Sequence, residues 1–163
     1  MMRRFGDRAT FAVELGETIS PVLRVIDLWA AGKHMTTDDN VAFIPSFLRL
    51  IRPTATQVRQ RDIPSCPFPG RSPEENYRLL HADETEFRER FWFMHWGETV
   101  DNLSCYAYLD EVLVIVFAFW RTTHPDLDDL GKIFVTKIEP EEFAVILQGA
   151  ADAIEADSIR ETT

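Results

Sequence analysis

The sequence predicts a single α+β domain in which a mainly antiparallel β-sheet of about six strands packs with two to four helices. Three observations carry that prediction. Runs rich in β-branched and aromatic residues gather at 10–29 and again at 91–138, with helical patterns between and after them. The run 112–120 is apolar on both of its alternating faces, as a central strand covered on each side must be. A chain of 163 residues, 45% of them hydrophobic, suits one domain, which buries about 70% of the surface its unfolded form exposes.

Taken in order, 10–15 and 22–29 read as strands joined by a turn over 16–21, and Ala31, Gly32 and Lys33 end the second. The polar stretch 36–40 offers a cap for a helix over 41–51, where Pro45 is tolerable only in the first turn. Pro53 is expected to open another short helix, to about residue 61. Pro64, Pro67, Pro69 and Pro73 then crowd ten residues, which forbids a helix or a central strand. With apolar Ile63 and Phe68 among them, this stretch reads as an ordered surface loop. Ser72, Pro73, Glu74 and Glu75 supply a cap, a first-turn proline and carboxylates at the positive end of the helix dipole. Tyr77, Leu80, Glu84, Phe87 and Phe91 recur at spacings of three and four, which extends that helix to about residue 90. Strands are expected at 91–96, 103–109, 112–121 and 132–138, with Asp110 and Glu111 as a tight hairpin turn. Pro140 opens the last helix, in which Phe143, Ile146, Leu147, Ala150, Ala151 and Ile154 share one face. Beyond it only Ile159 is patterned as apolar, so the domain is read as 1–156 and residues 157–163 as a flexible tail.

Charge is unevenly spread along the chain. Residues 98–163 hold fourteen acidic and four basic side chains, while 1–97 hold thirteen of each, so the net charge of −10 resides in the last two-fifths. Such a balance argues against a nucleic-acid partner, whose phosphates need Lys and Arg. It favours a basic partner, or by itself mere solubility. The longest apolar stretch is nine residues, about half of a membrane-spanning helix, and the N-terminus lacks the apolar run of a secretory signal. Cys66 and Cys105 lack the spacing of a zinc or redox motif and read as reduced thiols of a cytoplasmic protein.

No catalytic, cofactor or metal motif stands out. His34, His81, His95 and His124 show no i, i+4 pair, the loop from Asp126 to Gly131 lacks the register of a calcium loop, and the glycines are scattered singly. What remains is a set of acidic connections: Glu98 and Asp101 before one strand, Asp110 and Glu111 in the hairpin, and Asp126, Asp128 and Asp129 after Arg121. In an antiparallel meander the first and third of these lie at the same end of the sheet. These seven are the candidate partner-binding residues. An alternative is a small enzyme or ligand-binding domain with a pocket lined by Trp92, Trp96, Tyr106, Tyr108 and Trp120.

Two stretches carry a family resemblance. The opening from Phe5 through Glu14, with Phe5-Gly6-Asp7 and Phe11-Ala12-Val13-Glu14, resembles the start of a family of immunity proteins from bacterial polymorphic-toxin and contact-dependent growth-inhibition systems. The segment from Trp96 to Asn102, followed by Tyr106 and the strand ending Phe119-Trp120-Arg121, is similar to the same family, as is Pro140-Glu141-Glu142-Phe143. The resemblance implies an α+β fold, no catalysis and no cofactor, and a protein partner: the cognate toxin domain, such as a basic nuclease or another enzyme. It carries over no binding residues, and the proline-rich 63–73 stretch departs from the family's pattern.

Overall fold

The computed structural model describes residues 2–162, with side chains to residue 159. Alternation of apolar and polar positions sorts the N-terminal strands into one antiparallel sheet, made of β1 (Arg3–Asp7), β2 (Phe11–Ser20), β3 (Leu23–Ala30), β4 (Lys33–His34) and β5 (Val41–Phe43). Strands β6 (Leu103–Asp110), β7 (Val112–Phe119) and β8 (Phe134–Ile138) form a second antiparallel sheet in that order. Three α-helices complete the domain: α1 (Ile44–Arg59), α2 (Pro73–Ala82) and α3 (Pro140–Thr162).

One core joins the two sheets. Phe11, Val13 and Leu15 of β2 and Ile26, Leu28 and Ala30 of β3 point inward with Phe47, Ile51 and Ala55 of α1 and with the expected α3 stripe, all of it buried. Cys105, Ala107, Leu113, Ile115 and Phe117 bring one face of the second sheet into the same core. Its other face, Tyr106, Tyr108, Val114 and Val116, is roofed by Tyr77 and Leu80 of α2 together with Phe91. Strand β7 is therefore covered on both sides, which is why 112–119 carries no polar alternation.

The proline-rich segment is held by a buried side-chain amide and by backbone pairing with β6. The Asn76 amide, fully buried, donates to the carbonyls of Arg71 and Ser72 and accepts from Phe68 N–H. Leu109 N–H donates to Pro64 C=O and Cys66 N–H to Leu109 C=O, so the loop runs along the edge of β6 and covers an otherwise open strand edge.

Several expected boundaries move. The N-terminal sheet gains β1, whose Arg-rich sequence hides an edge strand, and β5, only three residues long. Residues 16–20, expected in a turn, continue β2 through two register shifts. Pro45 does lie in the first turn of α1, but Pro53 stands inside that helix instead of opening a new one. It is exposed, where water can serve the carbonyl it leaves without a partner. Helix α2 stops at Ala82, because the Asp83 carboxylate accepts from Thr85 N–H and hydroxyl, and Thr85 then caps a 3-10 turn over Glu86–Phe91. The expected strand at 91–96 is reduced to a bridge between Trp92 and Tyr106; Met94 has a φ of 62°, which a strand does not allow. The region expected as a flexible tail continues α3 through Thr162, and the Asp157 carboxylate pairs with Arg24 at 2.9 Å.

Gly6 explains the Phe-Gly-Asp opening physically. Its φ of +92° is open to glycine, and a Cβ there would run into the Phe11 carbonyl oxygen across the β1–β2 pair. Asp7 then closes the turn, its carboxylate accepting from Ala9 N–H at 2.8 Å and its carbonyl from Thr10 N–H at 3.0 Å. Gly6→Ala is expected to destabilise the protein by about 2 kcal/mol or more. Urea unfolding should show this as a lower midpoint with an unchanged slope.

Candidate docking surface

The sequence halves differ in charge, but folding places them against each other. Lys33 pairs with Asp129 at 2.9 Å, Arg24 with Asp157 at 2.9 Å, Arg59 with Glu141 at 3.2 Å, and Arg52 with Asp152 at 3.0 Å and with Glu155. Five acids of the C-terminal part are thus matched by cations from the N-terminal part, three of the five lying on the exposed flank of α3 that faces α1. What survives is more local than the sequence suggests. Among the described residues, Glu98, Asp101, Asp110, Glu111, Asp126 and Asp128 are exposed and enter no ion pair.

Asp129 leaves the candidate set. It is 5% exposed, and its two carboxylate oxygens are taken by Lys33 and by His124 Nε2, each at 2.9 Å. His124, equally buried, stacks on Phe119 with ring centroids 4.0 Å apart, and its Nδ1 lies 3.4 Å from the Thr37 hydroxyl. The Asn102 amide donates to that hydroxyl and to Met35 C=O. A buried polar staple therefore ties β4 and the segment after it to the connections before β6 and after β7. Burial pushes the Asp129 carboxyl up, but the hydrogen bonds from His124 and Lys33 outweigh it and hold the group below its ordinary value.

The six remaining acids divide between two ends of the second sheet. Leu103 pairs with Phe119, so the connections holding Glu98, Asp101, Asp126 and Asp128 meet at one end; Asp110 and Glu111 turn the hairpin at the other. At the first end Arg121 is matched by Asp38 at 2.9 Å, and Lys132 is the exposed cation of the 120–133 connection. Two apolar side chains stand out among these carboxylates: Trp120, 57% exposed, and Leu127, 67% exposed. The indole N–H of Trp120 donates to Asp101 C=O at 2.9 Å and the Arg121 guanidinium lies 5.1 Å from its ring centroid, so the ring is fixed in place while open to solvent. An exposed, oriented tryptophan among mostly acidic neighbours is a candidate anchor for a protein partner.

No protein-family model, characterised protein or solved structure matches the chain.

The five aromatic residues of the alternative pocket do not all line one cavity, although Trp92 and Trp96 border the same one. Tyr106 and Tyr108 lie under α2, Trp96 is in the main core, Trp92 stacks on His95 at the surface, and Trp120 stands at the acidic end. Cys105 is buried, and burial raises the pKa of its thiol. Among the described residues no three His, Cys, Asp or Glu side chains group so as to hold a metal ion, and no helix is long and apolar enough to cross a membrane.

A second charged cluster escaped sequence reasoning. On the outer face of the N-terminal sheet, Glu14 is 1% exposed beneath Arg4 and Arg8, which reach it at 2.6 Å, while Asp27 accepts from Thr36 and Asn40 and pairs with His34 at 2.6 Å. The Arg8 guanidinium lies 4.0 Å from the Trp29 ring centroid. Hydrogen bonds from Arg8 hold Glu14 below its ordinary pKa against the opposing effect of burial, and Arg4 adds to them. The signal was present in the pattern: Glu14 sits in register with Arg4 on one side and Asp27 on the other, yet only the pairing reveals it.

Because the Asp129 pKa is lowered on folding, its stabilisation is full above the unfolded carboxylate value of about 4 and is lost as pH falls through the folded value. Asp129→Asn is expected to cost about 2–3 kcal/mol at neutral pH, and its deficit relative to wild type should narrow in acid. Asp126→Asn and Asp128→Asn should stay within about 0.5 kcal/mol of wild type. Urea titrations at neutral and acidic pH measure all three.

Proposed function

We propose that this protein is a cytoplasmic immunity protein that binds a cognate toxin domain and neutralises it by covering a basic face, without catalysis of its own. The observation that carries the reading is the grouping of unpaired charge: Glu98, Asp101, Asp126 and Asp128 are exposed, enter no ion pair and gather at one end of the second sheet with an exposed, fixed Trp120, whereas Asp129, Glu141, Asp152, Glu155 and Asp157 are matched across the fold. The family resemblance in 5–14, 96–106 and 119–121 supports the same partner class. A basic enzyme that grips phosphates or another anionic substrate presents the complementary field, and an acidic inhibitor is steered to it from solution.

The direct experiment asks whether the gene beside this one encodes a toxin domain, whether the two products co-purify, and whether co-expression removes toxicity. The double variant Asp126→Asn/Asp128→Asn should lower the association rate by about tenfold at low salt and flatten its dependence on ionic strength. Asp110→Asn/Glu111→Gln, at the opposite end of the sheet, should leave the rate within about twofold of wild type. Stopped-flow association across a salt series checks this. Binding indifferent both to salt and to the first double variant would overturn the electrostatic reading.

A further inference from the structure

Beside Trp120 the acidic end is not flat. A cleft of about 360 Å³ opens between Trp120 on one side and the backbone of 93–95 on the other. Its floor is apolar, formed by Phe93, Val100, Leu103 and Cys105, and its rim carries Asp101 and His95. Phe93 N–H donates to Cys105 C=O at 3.2 Å, so this backbone group does not point unpaired into the space. Arg121 also lines the cleft, but its guanidinium is matched by Asp38, which leaves Asp101 as the unpaired rim charge.

The cleft owes its shape to two unusual backbone positions. Met94, which lines the cleft, has φ 62° and Gly97 beyond it φ 111°, and both turn the chain out of the strand geometry that 91–96 would otherwise follow. Left-handed backbone at a bulky residue costs free energy, and such strain gathers at binding sites.

We propose that this cleft is the anchor pocket of the docking surface, and that it accepts one large apolar side chain of the toxin domain flanked by Lys or Arg. This deepens the immunity reading and rests on it for its biological role. The apolar floor suits an aromatic or long aliphatic side chain, for which Trp120 supplies a flat wall. The unpaired carboxylate of Asp101 at the rim selects a partner segment that carries Lys or Arg beside the anchor. A cleft floored by apolar groups, with one unmatched carboxylate at its rim, reads both properties at once.

The test needs no toxin, so its failure is distinct from a failure of the immunity reading. Acetyl-Lys-Phe-Lys-amide is titrated into isotopically labelled full-length protein and followed by nuclear magnetic resonance. The expected result is movement of the Trp120 indole N–H and the amides of Val100 and Leu103, with acetyl-Lys-Ala-Lys-amide and acetyl-Glu-Phe-Glu-amide each binding at least about threefold more weakly. Asp101→Asn should abolish the preference for Lys over Glu, and Trp120→Ala the preference for Phe over Ala. Both residues are exposed, so both variants should fold. Equal affinity for the three peptides, no shift, or shifts confined to another cleft such as that between Phe43 and Trp96 would overturn the proposal.

Discussion

The carboxylate of Asp129 is the point on which the arrangement of the two sheets depends. It takes a lysine from the N-terminal sheet and a histidine from the connection after β7, and through His124, Thr37 and Asn102 it reaches the connection before β6. A buried carboxylate without partners is costly, so Asp129 needs both Lys33 and His124. Fastened in this way, the 33–40 segment holds both acidic connections in place on either side of it. The staple thus ties together the connections that carry the exposed carboxylates while its own carboxylate is neutralised in place. One acidic cluster in the sequence, 126–129, divides into a structural member and exposed ones within three residues, because the short 3-10 turn Leu127–Asp129 directs Asp129 inward and leaves Asp128 outside.

Much of this architecture was legible before folding. Strand β7 declared itself by being apolar on both faces, α3 by its stripe, the α2 start by Ser72 and Pro73, and each of these signals lies within a single element. What the sequence concealed depends on partners distant along the chain. Arg3-Arg4 reads as a charged terminus until Glu14 stands opposite it, and Pro53 reads as a helix start until its exposure shows that the missing donor is tolerable. The break after Ala82 turns on one Asx contact between Asp83 and Thr85, which competes with a helical stripe that would otherwise continue.

Charge was the least legible property. The contrast between a neutral first part and an acidic second part is real along the chain, but the two parts are not two regions of the molecule. Strands from one lie beside helices from the other, and the long-range pairs Arg24–Asp157, Arg52–Asp152 and Arg59–Glu141 match much of the imbalance locally. These pairs are partly exposed, and each adds little to stability. Their consequence is electrostatic: they match Glu141, Asp152, Glu155 and Asp157 along α3, whereas Glu98, Asp101, Asp126 and Asp128 stand together without a partner. Six of the seven acidic residues singled out from the sequence are exposed, but the sequence does not show which acids are paired across the fold, nor that Trp120, read there as lining an aromatic pocket, stands open to solvent among four of them.

In the proposed complex the acidic end of the second sheet, and no other face, meets the toxin domain. Hydrogen exchange of the protein alone and in complex with the toxin domain measures it most directly. New protection should fall on 93–103 and 119–128 and spare the outer face of the N-terminal sheet around Arg4, Glu14 and Trp29. Protection of that outer face, or of α3, with the acidic end exchanging as in the free protein, would contradict it.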